Sequence, residues 1–471
     1  MEEIQVESLS YVDIQHDALA VFDDVEQGII LSEDIWISGY QVGETSVHGK
    51  AKVSIREGGG LDLTPRDGVQ IQRMNKTQFK VSIPKLSIRD RTVKFPKQVI
   101  NPPYRKTSSL DAPLHINSIS LNPKTPHVVV GGQDGYCVIL PTALNSQEKE
   151  VQLQGHVGDV LDVKWFPSGE VILTCSSDLS IRIYGRDGIN PRTLKGHTRS
   201  ITSTYIIGVG KEILSASKDG TIRLWDIASS KEVKRWMIGD TSRKSVEGMI
   251  VLDQAQDIAR LGSQSKSEVG SERVGLLNTQ DGIWVQPLSF SSGTSRSSAG
   301  TTSPSSQFQT QTRSQSRSEE TDEGWFVKNR IDSKLISIAQ EGGLVVKGYM
   351  NGWIEIMSLE NLKNPNTSGQ ALETDGKGKG KYKVIRRNEA SIYALKLKRN
   401  EDKDKDEYSL YVGTASGLPA LLSIRETQDG YEARTEEELA SWDAEGVEVF
   451  DYDSGSEGVW CAGGEGGLKR Y

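Results

Sequence analysis

A chain of 471 residues carries 56 Lys and Arg against 64 Asp and Glu, for a net charge of -8. That length suggests several domains of roughly 150 residues each, or one long repeat array, and the acidic balance argues against a general nucleic-acid binder, which carries a basic excess. No apolar run approaches the ~18 residues of a membrane-spanning helix, and Cys137, Cys175 and Cys461 make neither a disulfide framework nor a C-x-x-C metal knuckle.

The chain opens on MEEIQVESLS, which is acidic and has no apolar h-region. No secretory signal is expected, and with the sparse cysteines this predicts a reducing, cytoplasmic and nuclear location. Residues 1–49 hold eleven Asp or Glu and no Lys or Arg, whereas residues 50–110 hold fourteen Lys or Arg against four Asp or Glu. The switch fits two sub-elements that pair electrostatically, or two solvated faces. Alternation in Gln78–Ile83 reads as a strand. Residues 1–100 are therefore expected to form a small β-rich region outside any repeat.

From about residue 112, short Val/Ile/Leu-rich runs alternate with Gly-containing turns, which reads as all-β. Two stretches repeat. GHVGDVLDVKWFPSGEVILTCSSDLSIRIYG runs from Gly155 to Gly185, and GHTRSITSTYIIGVGKEILSASKDGTIRLWD from Gly196 to Asp226. In register, His156 matches His197, Thr174 matches Ser215, Asp178 matches Asp219 and Tyr184 matches Trp225, each offset by 41 residues. The Gly-His, the Asp-containing turn and the Trp-Asp at this spacing resemble WD repeats.

Strand–turn–strand signals fall at Asp134-Gly135, Asp178-Leu179, Asp219-Gly220, Asp281-Gly282, Asn351-Gly352, Ser416-Gly417 and Glu465-Gly466. These predict a seven-bladed WD-repeat β-propeller over 101–471. A Ser/Thr/Gln-rich insertion at about 288–323 is expected to be disordered, and Gly376–Lys381 and Arg399–Glu407 read as solvated loops. The chain stops just past the last turn, so a segment within 90–112 is expected to supply the outermost strand of the final blade.

The resemblance implies a structural tetrad in each conforming blade: His197 bonded to Asp219, with Ser215 linking His197 to the Trp225 indole, and His156, Thr174, Asp178 and Tyr184 as the counterparts one blade earlier. The first blade keeps Asp134 but has Val130 and Leu140 where Ser and Trp would stand. The later blades lack the tetrad and are expected to rest on apolar packing, as at Ile354 and Ile356 or Ile392, Ala394, Leu395 and Leu397. The alternative reading of His197 and Asp219 as a catalytic dyad is set aside, because Trp225 explains the set structurally. No G-x-S-x-G elbow, phosphate loop or His metal pair is present. Neither enzyme activity nor a cofactor is expected.

Between Glu436 and Glu465 stand ten acidic residues and no Lys or Arg. Such a cluster on a rigid scaffold favours a basic protein partner, or is a solvated edge. Glu445, Glu448, Asp451 and Asp453, with Asp159 and Arg199 in the Gly-His loops, are the candidate partner-binding residues.

The non-repeat N-terminal region, the blocks Gly155–Gly169 and Leu194–Asp226, and the poorly conforming later blades together resemble the proteasomal ATPase-associated factor family, WD-repeat chaperones of the proteasome regulatory particle. The resemblance implies a monomer that binds the C-terminal domain of a proteasomal AAA ATPase subunit during assembly of the 19S base, through acidic groups on one propeller face, and neither nucleic acid nor membrane. The alternative is a WD-repeat scaffold or substrate adaptor in ubiquitin-ligase or RNA/chromatin complexes. Trp225-Asp226 is followed by Ile227-Ala228, without the Arg that adaptors docking through a WD box carry there.

Overall fold

The computed structural model describes residues 4–101, 114–144, 146–239, 242–262, 272–290, 323–364, 382–400, 407–443, 445–452, 458–464 and 466–471. Most of the expected insertion (291–322), all of Gly376–Lys381, and 401–406 lie outside the described residues.

From Ile116 onward the chain folds into consecutive antiparallel sheets. Sheet I spans 116–152, II 160–195, III 201–237, IV 248–328, V 335–386, VI 392–439 and VII 447–470. Each begins with its innermost strand and meanders outward. The second strands of sheets I and V do not alternate: His127–Gly132 and Leu344–Tyr349 are buried at every residue. That is the pattern of a strand covered on both faces, here by the neighbouring sheets.

The first strand of each sheet packs against the first strand of the next, and Val447–Tyr452 packs back on Ile116–Leu121. These inner strands share no backbone ladder, so side chains bridge them. Asp162 accepts from the Thr204 amide at 2.8 Å, Ser337 donates to the Ile392 carbonyl at 2.8 Å, and Asp451 accepts from the Leu121 amide at 2.8 Å. Sheet VII receives its fourth strand from upstream: Gln98–Ile100 pairs antiparallel with Leu468–Arg470, within the 90–112 window.

The N-terminal unit has one sheet over Tyr11–Arg66 and a helix, Ala18–Glu26. Ala18, Val21, Phe22 and Val25 recur at helical spacing and are the buried face of that helix. They pack with Ile35, Ile37, Phe79, Val81 and Phe95 in one core. In Gln78–Ile83 the alternation is visible, with Phe79, Val81 and Ile83 inward.

This unit is sewn to the sheets behind it. Val6–Ser8 pairs in parallel with Val384–Arg386 on sheet V, and Thr92–Lys94 pairs in parallel with Glu437–Leu439 on sheet VI. Its basic half therefore does not only answer its acidic half. Arg66 reaches Asp34, but Lys94 pairs with Glu437 at 2.6 Å and Arg91 with Glu438 at 2.9 Å.

The later sheets are not held by apolar packing alone, which corrects the expectation. Ile354 and Ile356 are indeed fully buried. Between them on the same strand, Glu355 accepts from the Tyr349 hydroxyl at 2.7 Å and pairs with Lys347 at 3.3 Å, all three inside sheet V. Burial holds the Lys347 ammonium below its ordinary pKa against the pull of Glu355. Among the described residues, no helix is long and apolar enough to cross a membrane.

Candidate functional site

The connections between second and third strands and the loops entering each sheet share one end of the ring. Each turn reverses through a residue with positive φ: Asp134 and Gly135 in sheet I, Leu179 in II, Gly220 in III, Gln280 in IV, Gly352 in V, Gly417 in VI and Gly466 in VII. In sheet IV that residue is Gln280, two positions before the Gly282 named by the sequence signal; Gly282 already begins the next strand. At Gly135 (φ 76°), an added Cβ would also lie 2.1 Å from the His156 carbonyl oxygen, so only glycine lets this turn seat against the next loop.

In sheet III, His197 Nδ1 lies 2.9 Å from Asp219 Oδ2, His197 Nε2 2.7 Å from Ser215 Oγ, and the Trp225 indole donates to Ser215 Oγ at 2.8 Å. Ionised Asp219 only accepts, so Nδ1 of the neutral ring carries the proton toward it and Nε2 accepts from the Ser215 hydroxyl, whose oxygen accepts from the Trp225 indole. The Thr198 amide, the Thr221 amide and hydroxyl, and the buried Arg223 guanidinium at 3.4 Å also donate to Asp219. Burial alone would raise the Asp219 carboxyl, but donation from His197, Thr221 and Thr198 outweighs it and holds the group well below the usual range. Burial lowers His197 below its ordinary value and keeps it neutral.

Sheet II repeats part of this. His156 Nδ1 is 2.8 Å from Asp178 and Nε2 2.8 Å from Thr174 Oγ1. Tyr184 departs from the tetrad: its hydroxyl donates to the Gln154 carbonyl at 3.0 Å, on the loop leading to Gly155. A phenol places its polar atom farther out than an indole nitrogen, past Thr174 and onto the loop. Burial pushes the phenol up to about 12, so it remains a donor. Tyr184→Phe should cost about 1 kcal/mol, read as a small drop in the urea midpoint; a loss as large as that of a buried charge would mean the hydroxyl belongs to the His156 network after all. In sheet I, which lacks the tetrad, the Asp134 amide instead donates to Asp159 Oδ1 of the next loop at 3.0 Å.

The acidic run of 436–465 divides into groups with different surroundings. Glu438 is buried, with one oxygen accepting from Arg91 at 2.9 Å and the Val12 amide at 3.2 Å, and the other from Arg387. Glu437 faces Lys94. Asp451 bridges inward, to the Leu121 amide and to Lys396 at 3.2 Å, so it is a stitch between sheets rather than a free docking group. Asp453 lies outside the described residues.

Glu445 and Glu448 behave differently. Glu445 is exposed on the loop entering sheet VII, and Glu448 begins the inner strand with Oε1 3.3 Å from His115 Nε2. Asp159, on the loop entering sheet II, acts on the same imidazole. The bond to Glu448, against the opposing effect of burial, and then the charges of Glu448, Glu445 and Asp159 raise His115 above its ordinary pKa. The ring thus gathers an acidic patch from loops about 300 residues apart, around a histidine that sequence reasoning passed over. Arg199 is exposed one sheet beyond Asp159, on the loop entering sheet III. Among the described residues no group of His, Cys, Asp or Glu is placed to hold a metal ion.

Residues 147–185 and 188–226 match the family model of the WD domain, G-beta repeat. The chain carries WD repeats, a scaffolding motif rather than a catalytic one. Each match begins on or just before the outermost strand of one sheet and ends on the third strand of the next, so every repeat in sequence clips two sheets together.

Over 84 residues the chain is 40% identical to the 26S proteasome regulatory subunit RPN14 of Saccharomyces cerevisiae, covering 18% of this chain and 20% of that protein. Over 123 residues it is 37% identical to the nuclear distribution protein nudF 1 of Talaromyces marneffei, covering 25% and 26%. Over 137 residues it is 31% identical to the tRNA (guanine-N(7)-)-methyltransferase non-catalytic subunit wdr4 of Xenopus laevis, covering 28% and 34%. The chain thus spans about a third or less of the length of these relatives.

Proposed function

We propose that the chain is a seven-bladed WD-repeat propeller, with sheets I to VII as its blades, residues 1–97 as an appended N-terminal region, and Gln98–Ile100 completing the last blade. It acts as a protein-binding chaperone that holds the C-terminal domain of a proteasomal AAA ATPase subunit during assembly of the 19S base. The observation that carries the partner class is the acidic patch of Glu445, Glu448 and Asp159 on the face bearing the Gly-His loops. A basic protein surface is its electrostatic complement. The short match to a proteasome regulatory subunit and the arrangement of the repeats support the particular partner. His156, Thr174 and Asp178, and His197, Ser215, Asp219 and Trp225, are its structural networks.

The test is capture of purified proteasomal ATPase subunits at low and physiological salt. The double variant Glu445→Gln/Glu448→Gln should lower the recovered ATPase about tenfold or more, with little change in thermal stability at pH ~8, where the His115–Glu448 pair contributes least, and wild-type recovery should fall steeply with salt. Stable, stoichiometric recovery of an RNA-processing or chromatin complex instead would favour the scaffold reading, which the match to a tRNA methyltransferase subunit supports.

A further inference from the structure

Inside the ring, at the end bearing the Gly-His loops, the inner strands surround an open concavity of about 260 Å³. Its walls differ in chemistry. On the side of sheets IV to VI it is lined by Met249, Ile336, Ile338, Tyr393 and Leu395, with Val449 from sheet VII. All are only partly buried, and Tyr393 is 38% exposed. Glu448 stands beside Val449 on sheet VII, and the facing wall is Asp162, Thr202 and Ser203 of sheets II and III, with Asp162 already bonded to Thr204 and Lys164; Glu445 and Asp159, outside the lining, act on the same His115 imidazole as Glu448.

Partly buried apolar groups lining an open concavity, with a few charges at one side, are the makings of a binding pocket. The volume holds one side chain and no folded element. The acidic groups lie partly beyond the cavity, so a ligand that satisfies both walls must extend out of it. A small apolar molecule would leave the acids unused, and a bare cation would leave the isoleucines against water.

We infer that this mouth binds a polypeptide segment that inserts one apolar side chain between Ile336, Ile338 and Tyr393 and lays flanking Lys or Arg residues on Glu448, Glu445 and Asp159. The inference rests on the reading of this face as a protein-docking surface and adds a specific anchor to it. Charge brings the segment in, and the pocket selects for the apolar residue between its basic ones.

The probe is a fluorescently labelled peptide, Gly-Ser-Lys-Arg-Leu-Arg-Lys-Ser-Gly, titrated with the full chain at low salt and read by anisotropy. A second peptide with Ser in place of Leu isolates the anchor. The Leu peptide should bind at least about tenfold more tightly than the Ser peptide. Ile336→Ser and, as the variant on a more exposed side chain, Tyr393→Ala should weaken the Leu peptide and leave the Ser peptide unchanged. Glu445→Gln/Glu448→Gln should weaken both.

Equal binding of the two peptides, or full retention of the Leu peptide by both pocket variants, overturns the inference. If those pocket variants also leave ATPase capture unchanged while the double glutamine variant lowers it, the acidic face stands as the docking surface and only the pocket is refuted. If the double variant leaves ATPase capture unchanged, the proposed function itself fails, whatever the peptides do.

Discussion

Replacing Glu438 by Ala should lower the unfolding free energy by about 3–5 kcal/mol, the cost of removing one partner from a buried ion pair. The carboxylate is 3% exposed and serves three donors from separate parts of the chain: Arg91 and the Val12 amide from the N-terminal unit, and Arg387 from the loop between sheets V and VI. Arg387 is itself 2% exposed and has one further bond, to the Leu418 carbonyl at 2.9 Å. Without Glu438 the two guanidinium groups lose their shared carboxylate, and the acid beside that site is Asp13, which burial and then the charge of Glu438 push up to about 6. Urea unfolding followed by far-UV circular dichroism measures the loss. Limited proteolysis should show the N-terminal unit released from sheet VI before the ring opens. A loss below about 1 kcal/mol, with no early cleavage before Ile116, would show that the parallel strand pair alone holds the unit in place.

Glu438 also shows where the sequence was readable and where it was not. The repeats at 155–185 and 196–226 carry their structure in local spacing, because His, Asp, Ser and Trp of one network lie within 30 residues. The turns were legible for the same reason, since positive φ narrows the choice of residue locally. Even the missing last strand was placed, by asking what an open final sheet would need. The acidic run was not legible in this way. Glu436, Glu437 and Glu438 look alike in sequence, yet Glu438 is sealed against Arg387, Glu437 faces Lys94, and Glu436 accepts from Ser423 at 2.7 Å. Alternation along the strand aims them differently, and their partners come from as far back as Arg91. The ion cluster of Lys347, Tyr349 and Glu355 escaped for a related reason. Charged residues inside apolar strands read as surface positions until the opposing strand is known to bring the counter-charge. His115 gave no signal, because only ring closure sets it beside Glu448.

Asp219→Ala is expected to cost about 3 kcal/mol, since it strips the acceptor from the His197 imidazole, two backbone amides, a hydroxyl and the buried Arg223 guanidinium in sheet III. Capture of the ATPase in the cold should persist, because Asp219 is buried in the turn of sheet III and is not part of the acidic patch; loss of capture with normal stability would make Asp219 part of the site. The same network sets a pH dependence whose sign can be worked out. Folded His197 is held neutral, with its pKa below the unfolded value of about 6.5. Below that pH the unfolded chain takes up a proton that the folded one refuses, so stability falls as pH drops from about 6.5 toward 5. Folded Asp219 has a depressed pKa, so its contribution is complete above about 3.9 and is lost only at still lower pH. His115, raised beside Glu448, works in the opposite sense: its contribution is present below about 6.5 and fades as pH rises through its folded value. A comparison of His197→Asn with wild type across pH 5 to 7 separates the two. The variant should be less stable throughout and should lose part of the decline on acidification. A steeper decline in the variant would mean that His197 is protonated in the fold and paired with Asp219 as an ion, and an unchanged slope would mean that folding does not shift its pKa; either result overturns the neutral imidazole.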